Sequence, residues 1–129
     1  MLNKKEDKTM GNIFENFGNT TILTNAFSLQ MVPDDCTIKK EALTELGAAA
    51  LVRKAQDQGT LTNAIGHADI ARVIGRDLTL GAIEPNRISV TMGPNDVLVV
   101  GQYIGPRLPE GATELPEGAE VRYFKISLV

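Results

Sequence analysis

From about residue 20 onward, short apolar runs alternate with polar interruptions, and the spacing within each run predicts an element. Residues 21–27 begin β-branched and apolar, which predicts a strand. Pro33, Asp34 and Asp35 read as a turn, followed by a short strand over 36–39. Residues 41–57 predict the main helix. Glu41 and Glu45 lie near its start and Arg53 and Lys54 near its end, as the helix dipole favours. Its stretch 48–52 is apolar almost all round, which predicts heavy coverage, and Gly59 is a stop signal. Residues 61–65 read as a short strand or extended segment. A second helix follows from about His67 or Ala68, with Ile70, Val73, Ile74 and Leu78 as its buried stripe.

The second half reads as strands. Residues 87–92 alternate, with Ile88, Val90 and Met92 facing one way and Arg87, Ser89 and Thr91 the other. Gly93-Pro94-Asn95-Asp96 is a strong turn. Residues 97–104 are nearly all apolar, the mark of a central strand covered on both faces. Residues 120–128 form a closing strand whose alternation slips between Tyr123 and Phe124, which predicts a bulge. The expected fold is a single α/β domain over 20–129, a mixed β-sheet flanked by helices. Residues 1–19 are polar, lack periodicity and predict a tail, disordered over 1–11 at least. The Pro- and Gly-rich stretch 105–118 carries Arg107 and Glu110. Such a long loop suits a lid, and from composition alone a solvated connection is as good a reading.

Composition narrows the classes. The 129 residues suit one domain with a sizeable core. The single cysteine, Cys36, allows no intrachain disulfide and points to a reducing compartment, the cytoplasm. No apolar run approaches the roughly 20 residues that span a bilayer, and the charged N-terminus lacks the apolar stretch of a secretory signal, so no membrane partner is expected. A net charge of -3 argues against a dedicated binder of long nucleic acid, yet leaves room for a small anion held by arginines. Between residues 60 and 120 every Lys or Arg is an arginine: Arg72, Arg76, Arg87 and Arg107. The guanidinium fork matches phosphate oxygens, although Arg72 and Arg76 read better as ordinary surface residues.

Several chemistries drop out. One His and one Cys cannot build a structural zinc site, and neither a Walker loop nor a dinucleotide fingerprint is present, so no cofactor is expected. Nothing marks Cys36 as activated, and Asp34 and Asp35 read as turn formers before they read as magnesium ligands. His67, the only histidine, remains, with Asn, Ser and Arg groups around it in the sequence. A lone histidine is more often structural than catalytic. This one follows Gly66 at a predicted helix start, where free backbone amides attract anions. An imidazole beside a phosphate site is the minimum needed to cleave RNA without a metal, the ribose 2'-hydroxyl serving as nucleophile.

The motifs Leu-Thr-Asn-Ala-Phe-Ser (23–28), Asn-Ala-Ile-Gly-His (63–67), Asn86-Arg87, and Arg107-Leu108-Pro109-Glu110-Gly111 occur in that order. In them the chain, from 21 to 129, resembles the small viral and mobile-element proteins that act as type III anti-CRISPR ring nucleases. The resemblance implies a homodimer that binds cyclic tetra-adenylate between protomers. It also implies cleavage of this messenger to linear di-adenylates, silencing the CRISPR effectors in the prokaryotic host's cytoplasm. Carried over by motif, His67 is implied as general acid. Asn25 and Ser28 are implied as pocket residues near base or ribose, and Gly66, read from the residue itself, lets the backbone come close to a ligand. Gln30 stands where relatives often have Asn. Arg87 is implied as a ligand contact, and Arg107 with Glu110 as the pair in the closing loop. A non-catalytic sponge or sensor for the same messenger is the alternative, and a plain interaction protein a further one.

Overall fold

A computed structural model describes residues 20–112 and 114–129 of the chain. Five strands form one sheet: β1 (Thr21–Thr24), β2 (Ile38–Leu43), β3 (Leu61–Asn63), β4 (Val97–Ile104) and β5 (Glu120–Leu128). Two helices, α1 (Glu45–Gln58) and α2 (Ala68–Asp77), and a 3-10 turn over Leu29–Met31 complete the regular elements. The strand order is β2-β5-β4-β1-β3. β1 runs parallel to both β3 and β4, and β5 runs antiparallel to both β4 and β2. The sheet is therefore mixed, as expected. The predicted tail over 1–19 lies outside the described residues.

Alternation along each strand divides the core in two. Leu23, Val99 and Tyr123 face the helices and pack with Val52, Ile74 and Leu78. Ile22, Leu98, Val100 and Ile126 face the other way, where Met92, Phe27, Met31, Val32 and Val90 cover them. Neither α1 nor α2 belongs to this second layer; its cover is the 3-10 turn, through Met31, and irregular chain. β4 is buried on both faces, with Leu98 and Val99 wholly inaccessible, as its unbroken apolar run predicts.

Three expectations are corrected. The main helix begins at Glu45, not residue 41, because residues 38–43 pair with β5 from Ile38↔Leu128 to Leu43↔Tyr123. Glu41 thus faces Lys125 across the ladder and forms ion pairs with Lys125 and Lys39, at 4.0 and 3.8 Å. Thr44 then caps the helix, its hydroxyl accepting from the Gly47 N–H at 2.9 Å. The helix ends at Gly59, whose φ of 73° is the left-handed conformation glycine adopts most easily.

The second correction concerns β5. It has no bulge, since its register is continuous against β4 and β2. The slip in alternation arises because the covered face changes along the strand. Val121 and Tyr123 pack toward the helices, whereas Ile126 and Leu128 pack on the opposite side. Third, residues 87–92 form no strand. Only the end of the stretch keeps the alternation, with Val90 half-buried and Met92 buried while Ile88, on the same expected side, is 45% exposed, and single bonds such as Met92 N–H to Met31 O at 2.8 Å replace a ladder. β1 and β3 are also shorter than expected, ending at Thr24 and Asn63.

Candidate functional site

The carboxyl ends of parallel β1 and β3 lie side by side, the usual location for a ligand crevice in sheets with parallel strands. The chain leaves β1 at Asn25 and β3 at Ala64, and both residues line a cleft of about 510 Å³ together with Gly66, His67, Arg87, Ile88 and Ser89. Four of the residues expected from the sequence thus meet: Asn25, Gly66, His67 and Arg87.

Gly66 is held from both sides. Its N–H donates to Asn25 Oδ1 at 3.3 Å, and its carbonyl accepts from Arg87 Nε at 3.0 Å. A Cβ here would come within 3.1 Å of Arg87 Cγ, so a side chain would push the guanidinium stem outward. With Nε engaged, the two terminal nitrogens of Arg87 meet no protein acceptor among the described residues and remain available to an anion.

His67 is the N-cap of α2. Its Nδ1 accepts from the Ile70 N–H at 3.3 Å, and its carbonyl accepts from the Ala71 N–H at 2.9 Å. An accepting Nδ1 carries no proton, so the proton of the neutral ring sits on Nε2, and the ring is exposed. The first turn of α2 therefore presents backbone amides and an imidazole N–H at the same end of the cleft.

Two asparagines that sequence reading did not single out as site residues shape this end. Asn63 Nδ2 donates to the Glu84 carbonyl at 2.7 Å while its Oδ1 accepts from the Ile65 N–H at 3.0 Å. Asn86 Nδ2 donates to the Asn63 carbonyl at 2.8 Å, and its backbone N–H donates to the Ile65 carbonyl at 2.7 Å. Together they hold 84–86 against 63–65 and so deliver Arg87 to Gly66. Asparagine beside a strand end is a common turn former, so only the partner segment's position exposes this role.

The remaining expected residues lie elsewhere. Ser28 caps the 3-10 turn without a side-chain cap bond, Gln30 is exposed within that turn, and neither lines the cleft. Arg107 and Glu110 are exposed in the 105–118 segment and also stand outside it. That segment is strapped to α2: Gly111 N–H donates to Asp69 Oδ1 at 3.1 Å, and Arg72 Nε donates to the Ala112 carbonyl at 3.3 Å. Asp69 and Arg72 pair directly with each other. Arg72 is therefore a tether and not the plain surface residue its sequence suggests. The strap reaches the same helical turn that His67 caps, while Arg107 and Glu110 stay outside the cleft.

Beyond the cleft, burial raises the Asp77 carboxyl above its ordinary value, opposed by the Tyr123 hydroxyl, which donates to it at 3.1 Å, and by Arg76. Burial and the Asp77 carboxylate push the Tyr123 phenol up in turn. This pair pins α2 to β5 from the helix-covered side. Among the described residues no three His, Cys, Asp or Glu side chains converge as metal ligands, and no helix is long and apolar enough to cross a membrane.

No curated protein matches the chain. Among solved structures it is similar to B116 of Sulfolobus turreted icosahedral virus (STIV). That superposition has a TM-score of 0.73 and 27% sequence identity, covering 84% of this chain and 99% of the viral one. A family model described as STIV B116-like matches residues 21–128, from the first strand to the last. The shared α/β sheet and this end-to-end match lead to one conclusion: the chain belongs to the STIV B116-like family.

Proposed function

We propose that this protein is a ring nuclease that cleaves cyclic tetra-adenylate to linear di-adenylates without a metal. In this reading it shuts off type III CRISPR effectors in the cytoplasm of a prokaryotic host. One observation carries the reading: Asn25, Gly66, His67 and Arg87, drawn from three separated motifs, line one cleft at a helix N-terminus. Arg87 supplies a free fork for a phosphate, Asn25 Nδ2 a donor for base or ribose, and the first turn of α2 further amides.

The chemistry follows from the His67 cap. The ribose 2'-hydroxyl gives up its proton to solvent as its oxygen attacks the neighbouring phosphorus, the bond to the 5'-oxygen breaks, and that oxygen takes a proton from the imidazole. Products carry a 2',3'-cyclic phosphate and a 5'-hydroxyl. A neutral imidazole with its proton on Nε2 can donate a hydrogen bond but is a poor acid, and a proton on Nδ1 is incompatible with the Ile70 contact. A bound phosphate resolves this by replacing Nδ1 as acceptor of the Ile70 N–H. Freed from the cap, the ring takes up a second proton and delivers the one on Nε2 to the leaving oxygen. Arg87 offsets charge growing on the phosphorane oxygens.

A 510 Å³ cleft holds only part of a four-nucleotide ring. Two protomers related by a two-fold axis would present two such clefts and two copies of His67, one for each of two opposite scissile bonds. The protein then works as a homodimer, with Arg107 and Glu110, and Ser28 and Gln30, meeting the ring once both protomers and the loop close on it. The engaged Nδ1 of His67 and the position of Arg107 outside the cleft favour a second reading, a sponge or sensor that binds the ring without cutting it. Incubation with labelled cyclic tetra-adenylate in excess chelator separates the two. The nuclease yields di-adenylates bearing a cyclic phosphate, the sponge returns intact ring, and strict dependence on magnesium defeats the proposed mechanism.

A further inference from the structure

The second core layer is open along one side. There a groove of about 340 Å³ lies on the helix-free face of the sheet, lined by the buried Val100 and Ile126 and the half-buried Phe27 and Phe124 among others. Lys40 lines it too, its Nζ 4.7 Å from the centre of the Phe124 ring, and pairs with no carboxylate among the described residues. The described chain begins close by. The Thr20 carbonyl accepts from the Val97 N–H at 3.0 Å, at the start of β4. Val100 lies three residues further along that strand, about 10 Å away.

The residues that precede Thr20 carry matching chemistry. Of the four phenylalanines in the chain, Phe27 and Phe124 line the groove. Phe14 and Phe17 lie in the run Ile13-Phe14-Glu15-Asn16-Phe17, where Glu15 is an unlike charge for Lys40. Phe17 stands three residues before Thr20 and Phe14 six, so extended chain carries them at most about 10 and 20 Å. To enter the groove the chain must double back beside β1, and Gly18 supplies the turn. We propose that segment 13–17 of the same chain docks in this groove, with Phe14 against Phe27 and the sheet and Glu15 against Lys40. Burial of one phenylalanine side chain shifts such an equilibrium about tenfold or more toward the docked state. Asn25 lines both this groove and the His67 cleft, so the docked segment borders the cleft, whatever the cleft binds.

NMR on the full, isotope-labelled chain tests this. Cross-peaks should join the Phe14 ring protons to the methyl groups of Val100 and Ile126. Phe14→Asp should abolish them and shift those methyl signals, while the Val52 and Ile74 methyls on the helical face stay in place. Lys40→Glu should weaken the cross-peaks about two- to fivefold, the scale of an exposed ion pair. Adding Glu15→Lys to it should restore them, and cross-peaks that Lys40→Glu leaves unchanged overturn the Glu15 contact. Missing cross-peaks, with methyl signals unmoved in Phe14→Asp, overturn the docking itself. A mixture of labelled and unlabelled chains identifies the source of the segment. Cross-peaks within one chain support the proposal, and cross-peaks only between chains overturn it in favour of a second copy as occupant.

Discussion

The two faces of the sheet are built by different means. On one, α1 and α2 seal a core in which Leu23, Val52, Ile74, Leu78 and Val99 are inaccessible to solvent. On the other, irregular chain around 27–32 and 90–92 covers a second core. The openings at His67 and at Phe124 draw wall residues, Ala64 and Val100 with Ile126, from that layer, and Leu29 and Ile88 near it stay 75% and 45% exposed. A helix satisfies its own backbone and can be packed down without remainder. Irregular chain must borrow partners from side chains, as 84–86 borrows from Asn63 and Asn86. Such segments leave amides, carbonyls and guanidinium nitrogens near a cavity, where a ligand can use them. In the proposed reading, stability is concentrated on the helical face and ligand recognition on the irregular one.

Substitutions can break this division. The largest effect is expected at His67 on the open side. His67→Ala should cut cleavage of the ring by about 10²- to 10⁴-fold while retaining binding. It should cost stability only about 1 kcal/mol through the lost cap, measured by product assay and urea denaturation side by side. Ile74→Ala, wholly buried on the helical face, should do the reverse. It should lose about 2–5 kcal/mol of stability through the cavity it opens, with ring affinity intact wherever the protein stays folded. A large affinity loss in Ile74→Ala would show that the two faces are not independent.

The strap that ties the 105–118 segment to α2 sharpens the comparison. Arg72→Ala removes the tether to Ala112 and leaves Asp69 without its cation, so amide exchange at 110–112 should rise. If the loop closes on ligand, Arg107→Ala should weaken affinity and slow cleavage together by about tenfold, one charge-assisted contact, and Arg107→Lys should recover only part because the fork is lost. Unchanged affinity and rate would reduce the loop to a connection.

The smallest effect concerns Asp77. Its carboxyl is raised by burial, so the folded chain holds this proton more tightly than the unfolded chain. Through this group stability falls as pH climbs from the ordinary carboxylate value through the raised one, and it is greatest below both. Asp77→Asn keeps an acceptor for the Tyr123 hydroxyl and cannot ionise. It should flatten that part of the pH profile and slightly raise stability at neutral pH, read from denaturation midpoints between pH 3 and 8.

Local pattern alone determined a good deal. The stripe Ile70, Val73, Ile74 and Leu78 needs only a 3.6-residue period to specify α2. The unbroken run 97–104 specifies a strand covered twice, and Gly59 and Gly93-Pro94-Asn95-Asp96 specify a stop and a turn. The position of His67 at a helix start was equally local, since its cap bond reaches only three residues ahead. Tertiary structure decided what depends on partners far away in sequence. Residues 41–43 joined β2 because β5 offered a ladder, a choice no helix propensity within 41–57 could reveal. Tyr123 and Phe124 interrupt an alternation because cover moves from one face to the other, which only both layers together define. Asn63, Asn86 and Arg72 acquired their roles from carbonyls more than twenty residues away, at Glu84, Asn63 and Ala112. A hydrogen-bond partner brought close by folding leaves no periodic mark in the chain, whereas a helix or a turn is written in neighbours that are already adjacent.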